Sequence, residues 1–250
     1  MTAAARTSVP HALGRWAWIA AVLMACQVAL AAPPVDAASG ASRAGEAISE
    51  AERLLFTHPH LAAVRTPRLL SYAYSAQAAA SASPLDHATL DLRPRADASC
   101  CSVHGEYLSG EMAVHLPDFD DATANPVVLY FLEAEVRRLQ RTTTGQSAHF
   151  RRQIRMSLAT DARVTDTTVR WNGKDVPGHA VRVSPFVDDP YRARFEREAT
   201  TEYVFLLSDD VPGGVAALTA TLPGATATDP PLERRALVLE DPQPAAPAKP

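Results

Sequence analysis

The sequence predicts an α+β protein: a curved antiparallel sheet packed against a helical hairpin, with a further helix near the N-terminus. Three observations carry this. Residues 125–159 hold two amphipathic stretches separated only by the turn Thr142-Thr143-Thr144-Gly145. Short alternating segments flank them on both sides, and Asn172-Gly173 joins two of these in the pattern of a type I′ hairpin. The order helix, strands, helical hairpin, strands, helix, strands favours antiparallel pairing over a repeated strand-helix-strand unit.

Taken in order, residues 1–31 read as a signal peptide. Arg6 and Arg15 form a positive region, Trp16 to Val28 is apolar, and Ala29-Leu30-Ala31 supplies an A-x-A cleavage site. The apolar run is shorter than the ~20 residues of a membrane span and meets Pro33-Pro34, which disfavours a retained transmembrane anchor. Leu23-Met24-Ala25-Cys26 offers a competing lipoprotein signal, although Met24 departs from its usual small or β-branched residue. Either signal places the mature chain outside the cytoplasm, periplasmic or secreted, and membrane attachment arises only if Cys26 is lipidated. Residues 32–42 read as a disordered tether, 43–240 as a single α+β domain, and 241–250 as a disordered Pro/Ala-rich tail.

Within the domain, residues 46–56 place Ile48, Ala51 and Leu55 on one helical face. Residues 69–74, 88–92 and 104–108 read as strands, with the Ala/Ser run Ala76 to Ser83 as a loop between the first two. Asn125 is a good N-cap and Pro126 suits the first helical position. The first stretch then carries Val128, Phe131, Leu132, Val136 and Leu139 on one stripe; Ser147 is positioned to cap a second carrying Phe150, Ile154 and Leu158. Further strands are expected at 167–171, 180–183, 203–207 and 215–222, a polar helix from Asp189 to Glu198, and an edge strand at 237–239.

The whole chain has 24 basic and 28 acidic residues. Deleting Arg6 and Arg15 with the signal leaves 22 against 28, a mature net charge of −6 that gives no electrostatic case for nucleic acid. No G-x-S-x-G, H-E-x-x-H, S-x-x-K set, P-loop or G-x-G-x-x-G is present, so neither a catalytic residue nor a cofactor is indicated. A hydrolase whose site assembles only in the fold is the alternative to a binding protein. His58, His60, His104 and His115 lack metal-ligand spacing, and an EF-hand loop from Asp118 would need Gly at Thr123 and Glu at Leu129. Cys100 and Cys101 are adjacent, outside any CxxC motif, and read as two thiols in a loop.

Six arginines, Arg137, Arg138, Arg141, Arg151, Arg152 and Arg155, mark the two helices. Glu133 is spaced to pair with Arg137 and Glu135 with Arg138, which makes a solvated face. Glu135 falls inside the apolar stripe and needs a partner, Arg138 or Arg151, if buried. The candidate ligand-binding residues are Phe131, Leu132, Glu135, Phe150 and Ile154, at the seam between hairpin and sheet, for an apolar ligand or a partner segment. Complete packing of that seam is the competing expectation.

Leu116-Pro117-Asp118-Phe119, the run Asn125 to Glu133 and Pro212-Gly213-Gly214 together resemble exported proteobacterial proteins of unknown function. The resemblance implies export, and no activity attaches to it. At the level of fold alone, strands plus a helical hairpin are similar to periplasmic lipoprotein-carrier half-barrels.

Overall fold

The computed structural model describes residues 48–78, 81–82, 86–97, 99–226 and 228–240, which belong to the unit Glu46–Pro250. The signal peptide, the tether and the Pro/Ala-rich tail lie outside them. Ser49 opens the first helical element, α1 (Glu50–Glu52): its hydroxyl accepts the Glu52 N–H and the Glu52 carboxylate accepts the Ser49 N–H, each at 3.1 Å. The chain continues as a π-helical segment, Arg53–Thr57, with Ala51, Leu54 and Leu55 buried. The regular helix therefore starts later than the apolar spacing from Glu46 suggests.

Among the described residues nine strands follow: β1 (Arg68–Ala78), β2 (Ser81–Ala82), β3 (Asp86–Pro94), β4 (Cys100–Tyr107), β5 (Arg163–Trp171), β6 (Lys174–Val183), β7 (Glu202–Leu207), β8 (Val215–Leu222) and β9 (Glu233–Leu239). They form one antiparallel sheet in the order β4-β3-β1-β9-β8-β7-β6-β5, with β2 paired to β1 beside that path. The sheet is not closed, since β4 and β5 stand at its two ends. Alternation of burial along β7, from Tyr203 through Phe205 to Leu207, shows why these residues make a half-buried strand.

Two helices, α2 (Val127–Thr142) and α3 (Ser147–Thr160), lie between β4 and β5 in the chain, so the protein is α+β with the sheet dominating. The turn of the β5–β6 hairpin has φ of 48° at Asn172 and 71° at Gly173, both in the left-handed region that a type I′ turn requires.

Several expectations need correction. The last strand is central, between β1 and β8, because the chain returns across the sheet instead of adding to its edge. The Ala/Ser run is not one loop: β1 extends to Ala78 and Ser81–Ala82 forms β2, strand pairing overriding weak local preference. In place of a polar helix at Asp189–Glu198 there are two short 3-10 segments, Arg192–Arg194 and Glu196–Thr200. Ser147 is the first residue of α3, not its side-chain cap. Cys100 and Cys101 open β4 rather than a loop, Cys101 is fully buried, and the pair is joined as a vicinal disulfide.

Candidate functional site

Asn125 fixes where α2 begins. Its side-chain carbonyl accepts the Val127 N–H at 3.0 Å, and its amide donates to Tyr72 Oη at 2.9 Å and to the Gly213 carbonyl at 2.7 Å. Its backbone N–H donates to His60 Nδ1 at 3.2 Å. One buried side chain thus ties β1, the β7–β8 connection and the start of α2 together, so the helix has a defined rotation about its axis.

That rotation sends the two apolar sides of α2 to different places. Phe131 meets Tyr203 and Phe205 edge-on, with ring centroids 6.5 and 6.3 Å apart, and is closed off from solvent. Phe150 of α3 is fully buried against Phe186 and Phe195, at 5.6 and 5.2 Å. Tyr130 stacks on Tyr107 at 5.8 Å and donates to the Gly105 carbonyl at 3.1 Å; a Cβ on Gly105 would lie 2.5 Å from its hydroxyl, so only glycine admits the ring.

On its other side, Leu129, Leu132 and Val136 of α2 face Ile154 and Leu158 of α3 across an open groove of about 580 Å³. Phe56, Leu116, Pro117 and Phe119 complete its apolar wall, and among the described residues no strand contributes to it. Leu129 is 41% exposed, a large apolar side chain left to water beside the groove. Of the five sequence-derived candidates, Leu132 and Ile154 line this groove. Phe131, Glu135 and Phe150 are buried elsewhere and do not.

Charge around the groove is mostly committed. The Glu133 carboxylate accepts from Arg151 Nε and Nη2 at 2.9 and 2.7 Å and from Arg137 at 3.2 Å, and these bonds hold its pKa below the usual carboxylate value. Glu52 is taken up by the α1 capping box. Arg155, also in the wall, has no ion-pair or hydrogen-bond partner among the described residues.

Glu135 sits beneath, 3% exposed, and accepts from Arg235 Nε and Nη2 at 2.7 and 2.9 Å and from Arg138 at 3.3 Å. Arg138 in turn makes a two-pronged bond to Glu198, at 3.0 and 2.7 Å, and Arg235 lies 2.8 Å from Glu233. Burial alone would raise the Glu135 pKa, but the two guanidinium groups outweigh it and hold the pKa below its ordinary value. Of the two partners expected from sequence, Arg138 pairs with Glu135 and Arg151 does not, being spent on Glu133. The partner with two shorter bonds, Arg235, is 100 residues away on β9, with no local signal linking it to Glu135. Only the interruption of the alternating strand Glu233–Leu239 by an inward-facing arginine hints at it.

A second, polar cleft lies beside the π-helical segment and the residues that follow it, as two adjoining hollows of about 410 and 510 Å³ sharing His58, His60, Asp209 and Asp210. His58 Nε2 donates to Asp209 at 2.8 Å. Because the Asn125 N–H occupies Nδ1 of His60, the neutral ring carries its proton on Nε2. Burial, reinforced by His58, lowers the His60 pKa to about 4. Ser208 lines the same cleft, but its hydroxyl donates to the Pro177 carbonyl at 2.7 Å, so no imidazole holds it as a nucleophile. Among the described residues, no three His, Cys, Asp or Glu side chains gather as metal ligands.

Comparison with family models, with curated proteins and with solved structures found no match to this chain.

Proposed function

We propose that this protein acts outside the cytoplasm as a non-enzymatic binding protein, carrier or chaperone-like, that takes an apolar ligand or the apolar segment of a partner. In this reading α2 and α3 form a hairpin that covers one face of the curved sheet, and the ligand lies on the hairpin's outer side, away from the seam. The contacts of Phe131 with Tyr203 and Phe205, and of Glu135 with Arg235, support the covering arrangement. The observation that carries the function is the groove itself. It is almost wholly apolar, about 580 Å³, within the roughly 300–1,000 Å³ of small-molecule sites, and it leaves Leu129 exposed where closer packing would have buried it.

The alternative, a hydrolase, has a polar cleft with His58, His60, Ser208 and Asp209, but the engagement of Ser208 with Pro177 weighs against it. The two readings separate in one experiment. Protein purified without detergent is extracted with organic solvent, and uptake of an environment-sensitive apolar dye is measured for the wild type and for Leu132→Glu. A carrier retains or takes up apolar material in the wild type and loses at least ~10-fold affinity in Leu132→Glu, with its thermal midpoint kept. Equal dye uptake by both proteins would remove the groove from the account.

A further inference from the structure

We propose that the occupant of the groove is a single-chain amphiphile with an anionic headgroup, its head held at Arg155 and its chain laid between α2 and α3. This rests on the reading that the groove binds an apolar ligand. The inference comes from the balance of charge around an otherwise apolar surface. Four charged residues line it: Glu52, Glu133, Arg151 and Arg155. Both acids are engaged, Glu52 by the Ser49 N–H and Glu133 by Arg151 and Arg137. Arg151 is engaged by the same carboxylate. Arg155 alone of the four has no partner among the described residues, so the rim presents one uncommitted cation.

Arg152, one turn away on α3 and also without a partner among the described residues, adds to the same sign of field without lining the groove. In the wall Glu133 is balanced by Arg151 and Arg137, whereas Glu52, bonded to a neutral backbone N–H, keeps its negative charge, which Arg155 and Arg152 together outweigh. The apolar rows fit a chain better than a ring system. Leu129, Leu132 and Val136 run along α2 over seven residue-to-residue steps, about 10 Å at the helical rise, opposite Ile154 and Leu158 on α3. An extended alkyl chain can lie along both rows at once, and its terminal oxyanion then meets a guanidinium that offers two parallel N–H donors to a carboxylate or phosphate.

Dodecanoate and dodecanol, which share a chain and differ in the head, provide the test, with binding to wild type, Arg155→Gln and Arg152→Gln followed by displacement of an apolar dye at low ionic strength. The expected result is that wild type prefers dodecanoate by about fivefold, the scale of one exposed ion pair. Arg155→Gln should lose that preference while keeping its affinity for dodecanol, and Arg152→Gln should keep most of the preference. Equal binding of acid and alcohol by the wild type, or a preference that survives in Arg155→Gln, overturns the proposal while leaving an apolar-ligand site intact. Failure of both compounds to displace the dye overturns the apolar-ligand reading and this proposal with it.

Discussion

Replacing Glu135 by alanine tests the buried charge network directly. The carboxylate is 4% exposed and Arg235 2%, so its removal strips Arg235 of two charge-assisted bonds, at 2.7 and 2.9 Å, at a site closed off from solvent. Glu233, within 2.8 Å and 30% exposed, remains as a partial counter-ion, and Arg138 keeps its two bonds to Glu198. Breaking one side of a buried pair costs roughly 3–5 kcal/mol, and the residual partners place this case near the lower figure, about 3 kcal/mol. Glu133→Ala removes a carboxylate whose partner Arg151 is 51% exposed, and should cost about 0.5 kcal/mol. Urea unfolding at pH 7 measures both. A double variant, Glu135→Leu with Arg235→Met, should recover most of the loss, because buried ion pairs replaced by apolar groups of similar volume are close to neutral. Equal losses below ~1 kcal/mol for Glu135→Ala and Glu133→Ala would show that the network is solvated and refute the reasoning.

Two further outcomes follow from the same geometry. Asn125→Ala leaves the Val127 N–H, the Tyr72 hydroxyl and the Gly213 carbonyl without their shared partner, and should lower stability by about 2–3 kcal/mol in urea unfolding; a loss under ~0.5 kcal/mol would contradict the anchoring of α2. His60 has a folded pKa near 4, below its unfolded 6.5, so the unfolded chain binds the extra proton first. Stability should fall as pH drops from about 6.5 to 4, by about 3 kcal/mol at most, whereas the depressed pKa of Glu135 adds its own loss from the ordinary carboxylate value of 4.5 downward. His60→Gln should flatten the upper part of that pH profile, and an unchanged slope between pH 6.5 and 5 would count against a buried neutral imidazole.

What could be read from the sequence was whatever depends on neighbours in the chain. The Asn172-Gly173 turn, the two helices after Asn125 and the alternation of Tyr203, Phe205 and Leu207 all act over a few residues, and the structure has each of them. The central position of β9 depends on its pairing with β1, across more than 150 residues, and Ala236-Leu237-Val238-Leu239 carries no mark of that partner. The same holds for Arg235 and Glu135. Leu132 and Ile154 were legible as apolar, but which side of the helices they would face depends on the Asn125 contacts, which bring together Tyr72, Gly213 and His60 from distant segments. Their periodicity gives a stripe, and a stripe wide enough to serve both a core and a groove does not say where one ends.

The groove is tested most directly by photo-crosslinking with a long-chain alcohol bearing a diazirine near its tail, followed by mapping of the labelled peptides. An uncharged probe makes the result independent of Arg155. Label concentrated within residues 116–119, 129–136 and 151–158, and largely abolished by Leu132→Trp, is the expected result. Label spread over the surface, or gathered instead around Leu69 and Val238, which are 62% and 45% exposed on β1 and β9, would contradict a binding groove between α2 and α3.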